Sequence, residues 1–228
     1  MIQLPASAPL FAHIPPAALP ALLHCLQAVT RRYRPGQTVL WPGQQVSQVG
    51  VVLSGRAHSV KSDITGKEVT ITLLVPGSSV GVLLAASGRS SPVAVRAVSD
   101  LAVLFFPDDR LTGYCGRCCP AHRQLLTNYQ AQLAAKAMAL HDRNDCLIRP
   151  TLRQKVLTYL LQLAGRQRRA DVVVPLDRAG MAQYLDADRS ALSRELSRMR
   201  ADGLISFHKD HFQLLGPLAG QLPDQQGR

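Results

Sequence analysis

The sequence predicts an α+β protein: a strand-rich first part, one long helix, and a second part of short helices closed by a hairpin. Three observations carry that prediction. Short β-branched runs, punctuated by glycine turns, fill residues 33–106. Leucine then recurs every seventh residue at Leu126, Leu133, Leu140 and Leu147. Beyond Arg149-Pro150, amphipathic helix patterns lead into two apolar runs separated by four polar residues.

Each element follows from its local pattern. Leu19, Leu22, Leu23 and Leu26 fall at i, i+3, i+4 and i+7, which predicts a short helix over Ala17–Ala28. The strand candidates are Thr38–Trp41, Val49–Leu53, Ala57–Val60, Val69–Val75, Val93–Val98 and Leu101–Phe106. Between them stand turns such as Pro42-Gly43, Ser54-Gly55 and Pro76-Gly77. Short strands with frequent turns indicate a sandwich or barrel. The helix from Ala121 onward has a leucine seam, with Tyr129 at its second heptad position and Lys136 and Arg143 at the next two. Such a seam packs on a partner helix. We take a second copy of the chain as the partner, with packing onto its own domain as the alternative.

After Pro150, Val156, Tyr159, Leu160 and Leu163 form one apolar face, and Val172–Val174 reads as a short strand. Asp177 can cap a helix running to Leu185, with Met181, Ala182 and Leu185 facing inward. Asp186-Ala187 makes a turn, and Asp188 can cap a helix from Arg189 to about Asp202. Leu192, Leu196 and Met199 stripe one side of that helix. Ser190, Ser193, Arg194 and Ser197 lie opposite, with Arg189 in the first turn. Small side chains allow close approach to a major groove, and arginine can bind guanine bidentately. Arg198 and Arg200 flank this face and suit phosphates. Leu204–Phe207 and Phe212–Leu215 read as a wing hairpin. The bland alternative is an amphipathic helix pair with a solvated polar face.

Composition is consistent with this. Of 228 residues 46% are hydrophobic, enough for a core, and only 18% are charged, yet the net charge is +11. A folded basic chain points to a polyanionic partner. The excess is +6 in residues 1–148 and +5 in the shorter 149–215, so charge alone does not locate the contact surface. The first thirty residues have no charged side chain and hence no positive n-region of a secretory signal. The uncharged stretch Val69–Gly88 is broken by Pro76-Gly77-Ser78-Ser79. A cytoplasmic protein that avoids membranes is expected. The five cysteines, an odd number with Cys118 and Cys119 adjacent, fit a reducing compartment.

Cys115, Cys118, Cys119 and His122 combine C-x-x-C with C-x-x-H spacing at the start of the long helix. Packing of small residues at a helix start is the default reading. A dithiol redox switch and a metal or cluster site are the alternatives.

These residues resemble the Crp/Fnr family of bacterial transcription regulators over about Ala17–Leu215. The resemblance rests on Val51-Val52-Leu53-Ser54-Gly55 and Pro76-Gly77. It rests most specifically on Ala182-Gln183-Tyr184-Leu185, the run from Asp188 through Leu196, and Asp202-Gly203-Leu204-Ile205. It implies an N-terminal antiparallel β-roll (a cupin-like sandwich), a long dimerisation helix and a C-terminal winged helix-turn-helix. The corresponding domains are 1–119 with the short N-terminal helix, 120–148, and 149–228 with a flexible tail from about 216. It implies base reading by Arg189, Ser190, Ser193 and Arg194, and phosphate contacts by Arg178, Ser197, Arg198, His208 and Lys209. The dimer seam would be Leu126, Tyr129, Leu133, Leu140 and Leu147. Ser190 departs from the glutamate that two well-known branches carry, so a different half-site is expected.

The implied effector pocket departs further. Its candidates are Val80, Gly81, Val82, Arg89, Ser91, Leu140 and His141. Cyclic-AMP binders carry Phe-Gly-Glu followed by an Arg-Ser or Arg-Thr pair. Here Val82 replaces the carboxylate, Ser91-Pro92 stands where the pair belongs, and Arg89 comes two residues early. Cyclic AMP is therefore not expected. The cofactor is left unassigned. An iron–sulfur cluster, a haem (through His141) or a metal are options that the sequence does not favour. The expectation is a non-enzymatic, homodimeric regulator of double-stranded DNA at an inverted repeat. An effector or redox signal at the β-roll would control it, and RNA polymerase would be a partner if it activates. The alternative is a small-molecule or redox sensor or adaptor that does not bind DNA.

Overall fold

The computed structural model describes residues 4–62, 68–113 and 119–216. The chain forms two compact units, Met1–Ala135 and Lys136–Arg228, and the division falls inside one long helix.

In the first unit, two 3₁₀ turns, Pro9–Phe11 and Pro16–Ala18, precede helix α1 (Leu19–Cys25). The predicted helix over Ala17–Ala28 is therefore shorter, because Gln27 takes a positive φ of 51° and ends it. Among the described residues, the strands that follow are β1 (Val29–Tyr33), β2 (Thr38–Leu40), β3 (Gln48–Ser54), β4 (Ala57–Ser62), β5 (Glu68–Leu74), β6 (Ser79–Val80), β7 (Ala94–Ala97) and β8 (Leu101–Pro107). They form two antiparallel four-stranded sheets, ordered β1-β8-β3-β6 and β2-β7-β4-β5. Two short helices, α2 (Val82–Ser87) and α3 (Asp108–Thr112), and the long α4 (Pro120–Leu147) complete this part.

The apolar run of β8 has a physical cause: both its faces are covered. Leu101, Val103 and Phe105 join Val52, Ala57 and Val95 in one core. Leu104 and Phe106 point the other way, with Val49 and Val51 of β3, against Leu10, Phe11, Leu22, Leu26, Leu125 and Tyr129. Gly55 makes the β3–β4 turn at φ +80°, and a Cβ there would collide with the Asp100 carbonyl. Strand β1 lacks an apolar alternation because it is an edge strand, its Arg31 and Arg32 exposed.

Polar groups fasten the first half of α4 to this unit, among them Asn128 and Tyr129. The Asn128 amide nitrogen donates to the carbonyls of Leu10 (3.0 Å) and Ala12 (2.7 Å). The Tyr129 hydroxyl donates to Asp108 Oδ1 at 2.8 Å. Burial, reinforced by that bond, raises the Tyr129 pKa well above the ordinary phenol value.

The second unit holds the rest of α4, α5 (Leu152–Gln167), β9 (Asp171–Val173), α6 (Arg178–Tyr184), α7 (Arg189–Ala201), β10 (Ile205–His208) and β11 (His211–Leu214). The strands form one antiparallel sheet ordered β10-β11-β9. Its core gathers Val156, Tyr159, Leu160 and Leu163 of α5, Met181 and Ala182 of α6, and Leu192, Leu196 and Met199 of α7, closed by Ile205 and Phe212. Among the described residues no helix is long and apolar enough to cross a membrane.

Replacing Asn128 by Ala strands two backbone carbonyls in the first unit. Leaving buried acceptors unpaired costs about 1–3 kcal/mol. Thermal denaturation followed by circular dichroism is expected to show a lower midpoint for Asn128→Ala than for the unaltered chain.

Candidate nucleic-acid interface

Helix α6 starts where the Asp177 carboxylate accepts from the Gly180 N–H at 2.7 Å. It ends at Leu185, and Asp186 makes the turn at a positive φ of 49°. Cations from neighbouring helices satisfy the exposed carbonyls of that end. Arg143 donates to the Tyr184 and Gln183 oxygens at 3.2 and 3.3 Å, and Lys155 Nζ to Leu185 O at 3.1 Å. Positive charge is favoured at a helix C-terminus. This explains why Arg143 interrupts the leucine seam: its guanidinium serves α6 and also lies over the Tyr184 ring, at 5.6 Å.

Helix α7 is placed by its ends and one face. The stripe Leu192, Leu196 and Met199 is buried. Asp188 Oδ1 caps the N-terminus, accepting from the Ser190 N–H at 2.8 Å and the Ala191 N–H at 3.0 Å. It also accepts from the Ser190 hydroxyl at 2.5 Å. These bonds, the Ser190 hydroxyl's first, lower the Asp188 pKa below the ordinary carboxylate range. From α5, Arg153 reaches Glu195 within α7 and Asp202 just beyond it, both at 2.7 Å. The sequence reading missed Arg153, since its partners lie 42 and 49 residues away and no local pattern links them.

The opposite face is free of packing. Arg189, Ser190, Ser193, Arg194, Ser197 and Arg198 are all exposed. Arg194 Nη1 donates to Ser190 Oγ at 3.3 Å. Ser193 donates to the Arg189 carbonyl at 2.9 Å, and Ser197 to the Ser193 carbonyl at 3.1 Å. The fold thus collects the four predicted base readers on one side of one helix.

The predicted phosphate residues divide. Arg198 is exposed and pairs weakly with Glu195 at 3.5 Å. His208 and Lys209 are exposed at the tip of the β10–β11 hairpin, where Lys209 takes φ 54°. Arg178 is engaged in the fold. Its guanidinium lies 4.9 Å from the Phe212 ring and 5.2 Å from Phe207, and it donates to Lys209 O at 3.0 Å. Burial lowers its pKa. Arg200 covers the Phe207 ring at 5.0 Å. Since Phe207 and Phe212 stack at 5.3 Å as a directly opposed cross-strand pair, the two arginines clamp the wing.

The seam residues also divide. Tyr129 is 3% exposed inside the first unit, and Leu126 and Leu133 pack partly on the same core. Leu147 is half-buried, whereas Leu140 is 62% exposed, with exposed Met138 nearby.

The effector candidates of the first unit divide between its interior and its surface. Val80 and Val82 are buried, Val82 within the core. The cavity beside Val80 and Gly81 measures about 60 Å³, against several hundred Å³ for ligand pockets in general. The buried Ser91 hydroxyl is committed to Val93 O at 2.8 Å, and Arg89 is exposed. These residues do not fit a cyclic nucleotide, whose phosphate needs a matched cation. An open cleft of about 640 Å³ lies elsewhere, lined by Arg32, Arg34 and Asp100 among others, and includes none of the candidates. In the second unit, Leu140 and His141 are exposed on α4.

Of the cysteine segment, Cys115 and Cys118 lie outside the described residues. Cys119 is half-buried. His122 is buried, with Nε2 2.9 Å from the Leu111 carbonyl. That nitrogen must carry the proton, because a carbonyl only accepts. Among the described residues, no group of three or more His, Cys, Asp or Glu side chains is placed to hold a metal ion.

Two family profiles match this chain: the cyclic nucleotide-binding domain over residues 30–118 and the Crp-like helix-turn-helix domain over 154–217. Among relatives, the transcriptional activator protein FnrL of Cereibacter sphaeroides is 28% identical over 187 residues, covering 77% of this chain and 72% of the relative. The global nitrogen regulator of Synechococcus elongatus is 22% identical, covering 82% and 86%. Among solved structures, a CprK variant complexed with OCPA superposes with a TM-score of 0.59 at 17% identity, covering 87% of this chain and 91% of that one. FixK2 of Bradyrhizobium japonicum gives 0.50 at 22% identity, covering 86% and 98%.

Two measurements check the local chemistry. Burial, then Asp145 and Asp142, raise the Cys146 pKa to about 11, and its side chain is fully buried. The thiol therefore stays protonated at neutral pH. Peptide mapping after iodoacetamide is expected to find Cys146 unmodified in the folded chain and modified in denaturant. The Asp188 pKa is lower in the folded chain than in the unfolded one. Its stabilisation is complete above the ordinary carboxylate range and is lost as pH falls through the lowered value. Urea denaturation across a pH series is expected to show a stability gap between the unaltered chain and Asp188→Ala that holds at neutral pH and closes in acid.

Proposed function

The chain belongs to the Crp/Fnr family of bacterial transcription regulators and is a DNA-binding regulator of that type; from that premise we propose that it binds an inverted-repeat operator as a homodimer. The carrying observation is the exposed face of α7, where Arg189, Ser190, Ser193 and Arg194 stand together opposite a buried stripe. We place base reading on these four residues and phosphate contacts on Arg198, His208 and Lys209; Ser197, expected among them, donates its hydroxyl to the Ser193 carbonyl and drops out of the phosphate set. Arg178 supports the wing and contributes to phosphate contact only through its edge. The reading as an adaptor that leaves DNA alone gains no support, given the match to a Crp-like helix-turn-helix domain.

A palindromic site calls for a two-fold protein. In this proposal the exposed part of α4, with Met138 and Leu140, packs on a second copy, and Tyr129 drops out of the seam because its own unit buries it. The domains are taken as 1–119, 120–148 and 149–228. A signal at the β-roll would shift the population between two arrangements of the dimer helices and so reset the spacing of the two α7 helices. Cyclic AMP is not the effector in this proposal, because Val82 stands where its binders carry a carboxylate and Ser91-Pro92 where they carry an Arg-Ser or Arg-Thr pair. Neither a catalytic step nor a membrane partner is part of the proposal, and the site of action is the cytoplasm.

Fluorescence anisotropy with a selected operator duplex tests this. The log of the binding constant is expected to fall steeply and linearly with log salt. Arg194→Ala is expected to lower specific affinity about tenfold per half-site, as loss of a bidentate guanine contact does, and to leave binding to random duplex nearly unchanged. Unchanged specific binding would remove α7 from the role. Light scattering after size exclusion is expected to report a dimer for the unaltered chain and a monomer for Leu140→Glu; a dimeric variant would place the seam elsewhere.

A further inference from the structure

We infer that Ser190 and Ser193 of α7 read bases as hydrogen-bond acceptors, and that Asp188 is the positioning residue that fixes Ser190 in that role. This rests on the assignment of α7 as the base-reading helix.

A serine hydroxyl has one proton and two lone pairs, so in general it donates or accepts. The bonds each hydroxyl makes within the helix bias that choice. A backbone carbonyl cannot donate, so the bonds from Ser193 to Arg189 O and from Ser197 to Ser193 O consume the protons of both hydroxyls. What Ser193 presents outward is lone pairs. Ser190 reaches the same state by another route. Its proton goes to Asp188 Oδ1, the oxygen that also caps the helix. Arg194, which has no lone pair, donates to Ser190 Oγ at 3.3 Å. One lone pair of Ser190 is left.

The exposed face therefore has a divided chemistry. Arg189 and Arg194 supply only donors, which suit guanine O6 and N7. Ser190 and Ser193 supply only acceptors, which suit the major-groove amino groups, N6 of adenine and N4 of cytosine. Asp188 touches no base in this scheme. Without it, Ser190 regains a proton to donate and can face the keto oxygens of thymine or guanine. The bond to Ser190 also directs Arg194 along the helix while four of its five N–H donors stay available for guanine.

The test uses the full chain and an operator selected from a random duplex library. Single functional groups are then deleted from the operator. Purine in place of adenine, or 2-pyrimidinone in place of cytosine, removes the amino group; 2-aminopurine in place of guanine removes the keto oxygen. Each duplex is titrated with the unaltered chain, Ser190→Ala, Ser193→Ala and Asp188→Ala. Amino deletion at one base pair is expected to weaken the unaltered chain about fivefold, the scale of one hydrogen bond, and to leave Ser190→Ala unaffected. Ser193→Ala is expected to couple in the same way at a different pair. Asp188→Ala is expected to weaken the coupling at the pair of Ser190, to let Ser190 couple to a keto oxygen as well, and to keep the coupling of Ser193, a readout that simple fraying of α7 would not reproduce. In the unaltered chain, coupling of Ser190 to a keto oxygen, or to no base group, overturns the acceptor assignment. Undiminished amino coupling with no gain of keto coupling in Asp188→Ala overturns the positioning role. If no duplex is enriched, the assignment of α7 itself fails. Alanine is a good helix former, so Ser190→Ala keeps the test decisive even if Asp188→Ala loses structure.

Discussion

The C-terminal unit depends on burying one stripe of α7. Leu192, Leu196 and Met199 recur at helical spacing and lie in the same core as α5, α6 and the wing. Removing a large aliphatic side chain from water contributes about 1.5–3 kcal/mol, so three of them fix the rotation of the helix about its axis. Once that is fixed, the period of 3.6 residues leaves no choice for the other side. Ser190, Ser193, Arg194 and Ser197 must face outward. The interface is thus the complement of the core.

Polar contacts then set what rotation leaves open. Asp188 fixes where α7 begins, and Arg153 ties its middle and its end to α5. Arg178 and Arg200 brace the stacked phenylalanines of the wing from two elements. Several cations of this unit are therefore engaged within the fold, Arg143, Lys155, Arg153 and Arg178 among them. The local basic excess overstates the charge that faces a duplex. Arg189, Arg194, Arg198 and Lys209, exposed on α7 and at the wing tip, are left to face it.

The N-terminal unit matches the cyclic nucleotide-binding domain profile and forms two antiparallel sheets, but the residues expected around a cyclic nucleotide are replaced. An apolar Val82 sits in the core where the ribose-binding carboxylate is expected. Ser91 bonds back to its own loop. Gly81 takes a left-handed φ of 78°, and a Cβ there would come within 2.9 Å of the Gln48 carbonyl. Backbone geometry sets the shape of this turn, independently of what it binds.

Legibility followed the range of the interaction. The sequence by itself determined the strand-rich half, the long helix, both helix caps at Asp177 and Asp188, and the outward face of α7. Each rests on periodicity or on contacts within a few residues, which a linear pattern records. It misjudged the end of the first helix, and it missed β1, β6, α2 and α3, whose apolar signals are short or masked by charge. It also could not tell that Tyr129, expected in the dimer seam, is buried in its own unit, or that Arg178, expected on phosphate, lies over the wing phenylalanines. Only the tertiary structure decided those two, because burial of the Tyr129 ring against Leu10 and Phe106, and the seating of Arg178 on the wing, join residues far apart in the chain. It also decided which protons the serines have left to give, since that depends on where each hydroxyl is aimed and not on its spacing.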